Sequence, residues 1–210
     1  MRVALDAVIL YVCYIQKVVL YGKGENSMKV VGKIAASEKT YANEFFGMEL
    51  TLPEGFSFYD EGQMAELNAS IGELQTDEDV IKALDSGLAF FDMAAATTIG
   101  TTVNVVIAHA GTPDVQALDA AAYLESAKAG LESQLTLAGA ELKDAQVRTY
   151  KNDKTKDEFA SMKVQFEIQG ALMYEELVCL RADDYFMTIS VTGPDKAELN
   201  KILENLTLTK

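Results

Sequence analysis

Between Glu44 and Asn68 the apolar positions fall at a period of two. Phe46, Met48, Leu50 and Leu52 alternate with Phe45, Gly47, Glu49 and Thr51, the pattern of a half-buried strand. Pro53-Glu54-Gly55 predicts a tight turn, and Phe56-Ser57-Phe58-Tyr59 resumes the alternation, so the stretch reads as a core-forming hairpin. Asp60 with Gln63 three residues on is a capping-box start for a helix over 61–69.

Further along, Thr76 is read as the cap of a second helix that stops at Gly87, with Val80, Ile81 and Leu84 on its buried face. Residues 88–95 and 103–109 read as strands. A long helix is expected over 118–138, where Ala120, Leu124, Ala127, Leu131 and Leu135 make an apolar stripe and Gly139 ends it. Four strands follow, at 141–150, 160–169, 171–181 and 185–192. The strictest alternation is Met162, Val164, Phe166 and Ile168 against Lys163, Gln165 and Glu167. Gly193-Pro194 opens a last helix whose stripe is Leu199, Ile202, Leu203 and Leu206. The order predicts one α+β domain over 41–210, with a largely antiparallel β-sheet covered by helices.

Ahead of it lies a different chain. Residues 3–21 are nearly all apolar, but the uninterrupted run Ala7–Ile15 is shorter than a membrane-spanning helix requires and suits a signal-peptide core. Residues 1–21 are read as a targeting or anchor segment and 22–40 as a polar linker. The competing reading starts the protein at Met28, in the cytosol. Leu10-Tyr11-Val12-Cys13 resembles a lipobox, although Val12 is not the small residue that belongs before the cysteine.

The formal charge of −14 is unevenly spread: +3 over residues 1–40, −14 over 41–127 and −3 over 128–210. An acidic centre argues against nucleic acid, whose backbone calls for clustered Lys and Arg. Two cysteines, Cys13 and Cys179, cannot make a disulfide framework, and Cys179 reads as a small core residue.

Three stretches resemble a known group. Tyr41-Ala42-Asn43-Glu44-Phe45-Phe46-Gly47, Leu52-Pro53-Glu54-Gly55-Phe56-Ser57-Phe58-Tyr59 with Ala65-Glu66-Leu67-Asn68, and the strand Ala182 to Val191 are similar to uncharacterised Gram-positive gut-bacterial proteins with a PsbP-like (DcrB-like) domain. Members often carry Trp where this chain has Phe56. The resemblance covers roughly 41–206 and implies a PsbP-like α/β/α sandwich, secreted or lipid-anchored outside the cytoplasm, with no catalytic residues to carry over.

Candidate chemistry is sparse. His109, the single histidine, ends a predicted strand without evident ligand or triad partners and is read as structural. Glu175 and Glu176 are consecutive in a strand, face opposite sides, and so make no acid/base pair. Asp183-Asp184 reads as a hairpin turn, and Asp77-Glu78-Asp79 as a helix first turn rather than a calcium loop. Arg148, Lys151, Lys154, Lys156 and Lys163 form the one basic patch; with Asp153, Asp157 and Glu158 interleaved, it is read as a solvated hairpin tip. Phe45, Phe46, Phe56, Phe58, Tyr59, Phe90 and Phe91 are read as core fillers. No catalytic, metal or cofactor residue is therefore expected. The function expected is a non-catalytic extracytoplasmic binding module for a protein or envelope component, tethered at its N-terminus. The alternative is a small-ligand carrier with an apolar cavity between sheet and helices.

Overall fold

The structure, a computed structural model, describes residues 30–74 and 89–209. The apolar segment 1–21, the linker up to residue 29 and the predicted helix 76–87 lie outside the described residues. In chain order the elements are β1 (Lys33–Ala35), β2 (Thr40–Asn43), β3 (Met48–Thr51), β4 (Phe56–Phe58), α1 (Glu61–Leu74), β5 (Ala89–Thr97), β6 (Thr102–His109), α2 (Pro113–Gln116), α3 (Ala120–Lys128), α4 (Leu131–Leu137), β7 (Ala140–Lys151), β8 (Glu158–Ile168), β9 (Ala171–Ala182), β10 (Tyr185–Gly193), α5 (Lys196–Leu203) and β11 (Leu206–Leu208).

Seven strands form one sheet in the order β4-β5-β6-β10-β9-β8-β7, and four form another in the order β1-β2-β3-β11. The pairings are antiparallel throughout. The fold is thus α+β, an antiparallel sheet covered by helices, as the strand pattern predicts. The alternation of β8 sets its two faces. Met162, Val164, Phe166 and Ile168 are buried with Tyr123, Leu124, Leu131 and Leu135 of α3 and α4. On the opposite face Val103, Val105, Ile107, Ile189 and Val191 meet the small sheet (Tyr41, Met48, Leu50, Leu206) and the α5 stripe of Leu199, Ile202 and Leu203. The large sheet is the middle layer of three. At its β5 edge Leu67 of α1 packs on Phe91, Ala94 and Val106.

Several expected details hold. The capping box forms, Asp60 N–H donating to Gln63 Oε1 at 3.0 Å and Gln63 N–H to Asp60 Oδ1 at 2.8 Å. Gln169 and Gly170 both take positive φ, as a tight two-residue hairpin requires.

Others differ, and for identifiable reasons. The stretch 44–58 is not a hairpin: β3 pairs with β2 and β11, β4 pairs with β5, and Pro53-Glu54-Gly55 carries the chain from one sheet to the other. A period of two reports a buried face but not the neighbouring strand. The stretch read as linker is ordered from Val30. Val30 is buried, and its carbonyl accepts the Asn43 side-chain amide at 2.7 Å. Gly32 donates its N–H to Asp92 Oδ2 at 2.7 Å, and a Cβ there would sit 2.4 Å from the Tyr41 ring, so only glycine fits. The predicted helix 118–138 is split. Gly130, at φ −111° and ψ 1°, separates α3 from α4 and caps the second without a side chain.

Candidate functional site

The small sheet and α5 do not cover the β7 side of the large sheet completely. What is left open is a groove of about 380 Å³ between α5 and the ends of β7, β8 and β9. Arg148, Thr149, Tyr150 and Lys151 come from β7, Lys163 from β8 and Glu176 from β9; Lys196 and Asn200 reach in from α5. Strand alternation directs Lys163 and Glu176 to this face, because the register places them directly opposite each other.

At its floor lies Glu176, 4 % exposed. Its Oε1 accepts from Arg148 Nε at 3.2 Å, from Arg148 Nη2 at 2.8 Å and from the Ser161 hydroxyl at 2.7 Å; Oε2 accepts from Nη2 at 2.9 Å. The arrangement is a nearly saturated carboxylate, with the Arg148 charge committed to it. Lys163 and Lys196 are in a different position. They lie within hydrogen-bonding reach of each other, and neither makes an ion pair among the described residues. The Lys163 amine is held below the ordinary lysine range. Contact with Lys196 is the chief cause, followed by burial and the charges of Lys196 and Arg148, with Glu176 opposing. Lys196 also occupies the first turn of α5, where the helix dipole disfavours a cation, and its ammonium lies 5.7 Å from the centroid of the Tyr174 ring. Asp153 and Glu204 also line the groove, Glu204 paired with Lys154 at 3.5 Å; the two ammonium groups, which close no ion pair among the described residues, make a basic spot in it that suits an anion.

The basic patch read from the sequence is therefore divided. Lys151 pairs with Glu158 at 3.0 Å, Lys154 with Glu204 at 3.5 Å, and Lys156 donates to the Asp153 carbonyl at 2.6 Å. Lys154 and Lys156 belong to a solvated hairpin tip, and Lys151, paired with Glu158, stands where that tip meets the groove wall. Arg148 and Lys163 belong to the groove. Lys196 and Asn200 were missed by sequence reasoning, and a lysine at the first position of a helix was the available signal.

The remaining candidates fall as follows. Glu175 and Glu176 do face opposite sides, and both are buried. Cys179 is buried in the core under α3 and α4, and burial pushes its thiol well up. Asp183 turns the β9–β10 hairpin in the left-handed region, at φ 48°. His109 stacks edge-on against Tyr185 with ring centroids 4.8 Å apart, and its Nδ1 is buried without a partner among the described residues. Of the aromatics, Phe46, Phe56 and Phe91 are buried. Phe45 is half-buried and, with Phe46 and Arg181, lines a second open pocket of about 590 Å³. No group of three or more His, Cys, Asp or Glu side chains is placed to hold a metal ion among the described residues. None of the described helices is long and apolar enough to cross a membrane. No protein-family model and no curated protein matches the chain.

Proposed function

We propose that this chain is a non-catalytic binding module that grips an anionic group of its partner in the groove between α5 and β7–β9. One observation carries the reading: Lys163 and Lys196 line the groove together and close no ion pair among the described residues, while of the acids that line it Glu176 is taken up by Arg148 and Ser161 and Glu204 by Lys154. An oxyanion bridging the two amines would relieve their mutual repulsion and accept hydrogen bonds from both. The groove has room beyond a single phosphate, with Asn200 and Thr149 on its walls for further polar groups. The apolar segment 1–21 supports an N-terminal tether and a position outside the cytoplasm, facing a protein or envelope component.

Calorimetric titration with inorganic pyrophosphate tests the proposal. Wild type and Lys128→Met, a lysine on α3 away from the groove, are expected to bind saturably. Lys163→Met and Lys196→Met should each weaken binding by at least about tenfold, the loss of one charge-assisted hydrogen bond. Equal affinity in all four proteins, or no binding by wild type, overturns it.

A further inference from the structure

We infer that the helix-facing side of the central strands holds a second site, which takes a single positive charge: a monovalent metal ion or a primary ammonium group. A sheet face turned toward helices is ordinarily apolar. Here the register places Glu175 opposite Thr192 and Thr192 opposite Thr102, and in the next row Ser190 opposite Asn104. Five oxygen-bearing side chains thus share one face of β9, β10 and β6, and each is 6 % exposed or less. With strands about 4.8 Å apart and same-face neighbours about 7 Å apart, they occupy a patch of roughly 10 by 7 Å. The patch separates two apolar clusters. Leu177 and Cys179 belong to the one under α3 and α4, and Ala94 and Val106 to the one under α1.

Its hydrogen bonding is incomplete. The Ser190 hydroxyl donates to Glu175, whereas Thr102 Oγ1 and Thr192 Oγ1 are buried without a partner among the described residues. Orphaned buried hydroxyls are costly and call for an explanation. The donor set is oxygen only, with one carboxylate. A calcium ion draws on six to eight oxygens and softer metals on nitrogen or sulfur, so one positive charge is the match. The competitor is a proton. Burial pushes Glu175 up to about 8, against the pull of the Ser190 hydroxyl and of Thr192, which lies near but closes no hydrogen bond by geometry. A cation entering the site displaces that proton to solvent and leaves Glu175 ionised. These residues are separate from the groove, and the inference stands independently of the anion reading.

The test is thermal melting of the full-length chain at pH 7 in equal concentrations of potassium, sodium, ammonium, methylammonium or tetramethylammonium chloride. Tetramethylammonium, which cannot donate a hydrogen bond, is the reference. At about ten times its Kd, a bound ion should raise the midpoint by about 3–5 °C. A shift with potassium or sodium but not methylammonium identifies a metal ion, and the converse an ammonium-bearing ligand. Glu175→Gln should abolish the shift. Should that variant not fold, Thr102→Val and Thr192→Val keep the carboxyl, and each should weaken the ion's apparent affinity at least tenfold. Equal midpoints in all five salts for wild type, or an undiminished shift in the variants that fold, overturn the inference.

Discussion

Asn152→Ala is the substitution that should most damage the fold for the least change in volume. Asn152 lies in the turn between β7 and β8, yet it is fully buried. Its Nδ2 donates to the Leu206 carbonyl at 2.8 Å, Glu204 at 3.2 Å and Leu203 at 3.4 Å. These carbonyls include the unpaired C-terminal end of α5. Its Oδ1 accepts the N–H groups of Lys154 at 2.8 Å and Thr155 at 3.2 Å, closing the turn itself. One side chain therefore fastens the β7–β8 hairpin to the junction of α5 and β11. Alanine removes both roles and leaves buried carbonyls and amides unpaired, at about 1–3 kcal/mol each. Counting only the strongest bond on each side, the loss is about 4 kcal/mol, against a stability of about 5–15 kcal/mol for a domain. In urea unfolding followed by far-UV circular dichroism, the midpoint should fall by on the order of 2 M with the slope unchanged. Asn152→Asp keeps the acceptor but points a carboxylate at three carbonyls, and should be at least as damaging. A drop below about 0.3 M for Asn152→Ala would refute the reasoning, since the bonds to residues 203–206 would then contribute almost nothing net.

Two further outcomes can be measured alongside it. Phe166→Asp should give no cooperative melt, because Phe166 is buried beneath α3 and α4 between Leu142 and Met173, and an unpaired charge there costs several kcal/mol; a soluble, cooperatively melting variant would place the β8 faces the other way round. Glu175 holds its proton in the folded chain up to about pH 8 but releases it near its ordinary value of 4.5 when unfolded. Its contribution is thus present in full below pH 4.5 and lost as pH rises toward 8. With tetramethylammonium as the only cation, Glu175→Gln should lose less stability than wild type between pH 5 and 8, and parallel urea-midpoint profiles would show that the carboxyl is not buried as described.

How much of this was legible in the sequence follows from the range of each signal. Alternation over 162–168 and the cap at Asp60 are local, so they predicted the β8 facing and the start of α1 correctly. Strand pairing is not local. Leu50 alternates in the same way whether its neighbour is β4 or β11, and the sequence contains nothing that opposes the C-terminal Leu206 to it. Short strands such as β1 and β11 carry three residues each, too few for a period to register. Nothing local marks Asn152 as more than a turn residue, because turn chemistry and a buried staple call for the same side chain. The groove was half legible. Arg148 and Lys163 stood out as basic, but their separation from Lys154 and Lys156 of the turn depends on the fold, and Lys196 joins them only through it.

Glu175 and Glu176 show why the same local rule excludes one chemistry and yet leads to both proposed sites. Consecutive strand residues face opposite sides, so the pair cannot act together on one reacting group. Buried on both faces, each carboxyl must instead be compensated separately. Glu176 meets Arg148 and Ser161 and is satisfied within the protein, while Lys163 and Lys196 on its side close no ion pair among the described residues. Glu175 accepts from the Ser190 hydroxyl, and the hydroxyls of Thr102 and Thr192, without a partner among the described residues, lie on its side. In the two proposals the groove offers a pair of lysines to an anion, and the opposite face a carboxyl that keeps its proton until a cation displaces it. The sheet between them keeps the two sets of groups apart. On this reading each face of β9 takes a ligand of its own, an anion on one side and, in exchange for the Glu175 proton, a single positive charge on the other.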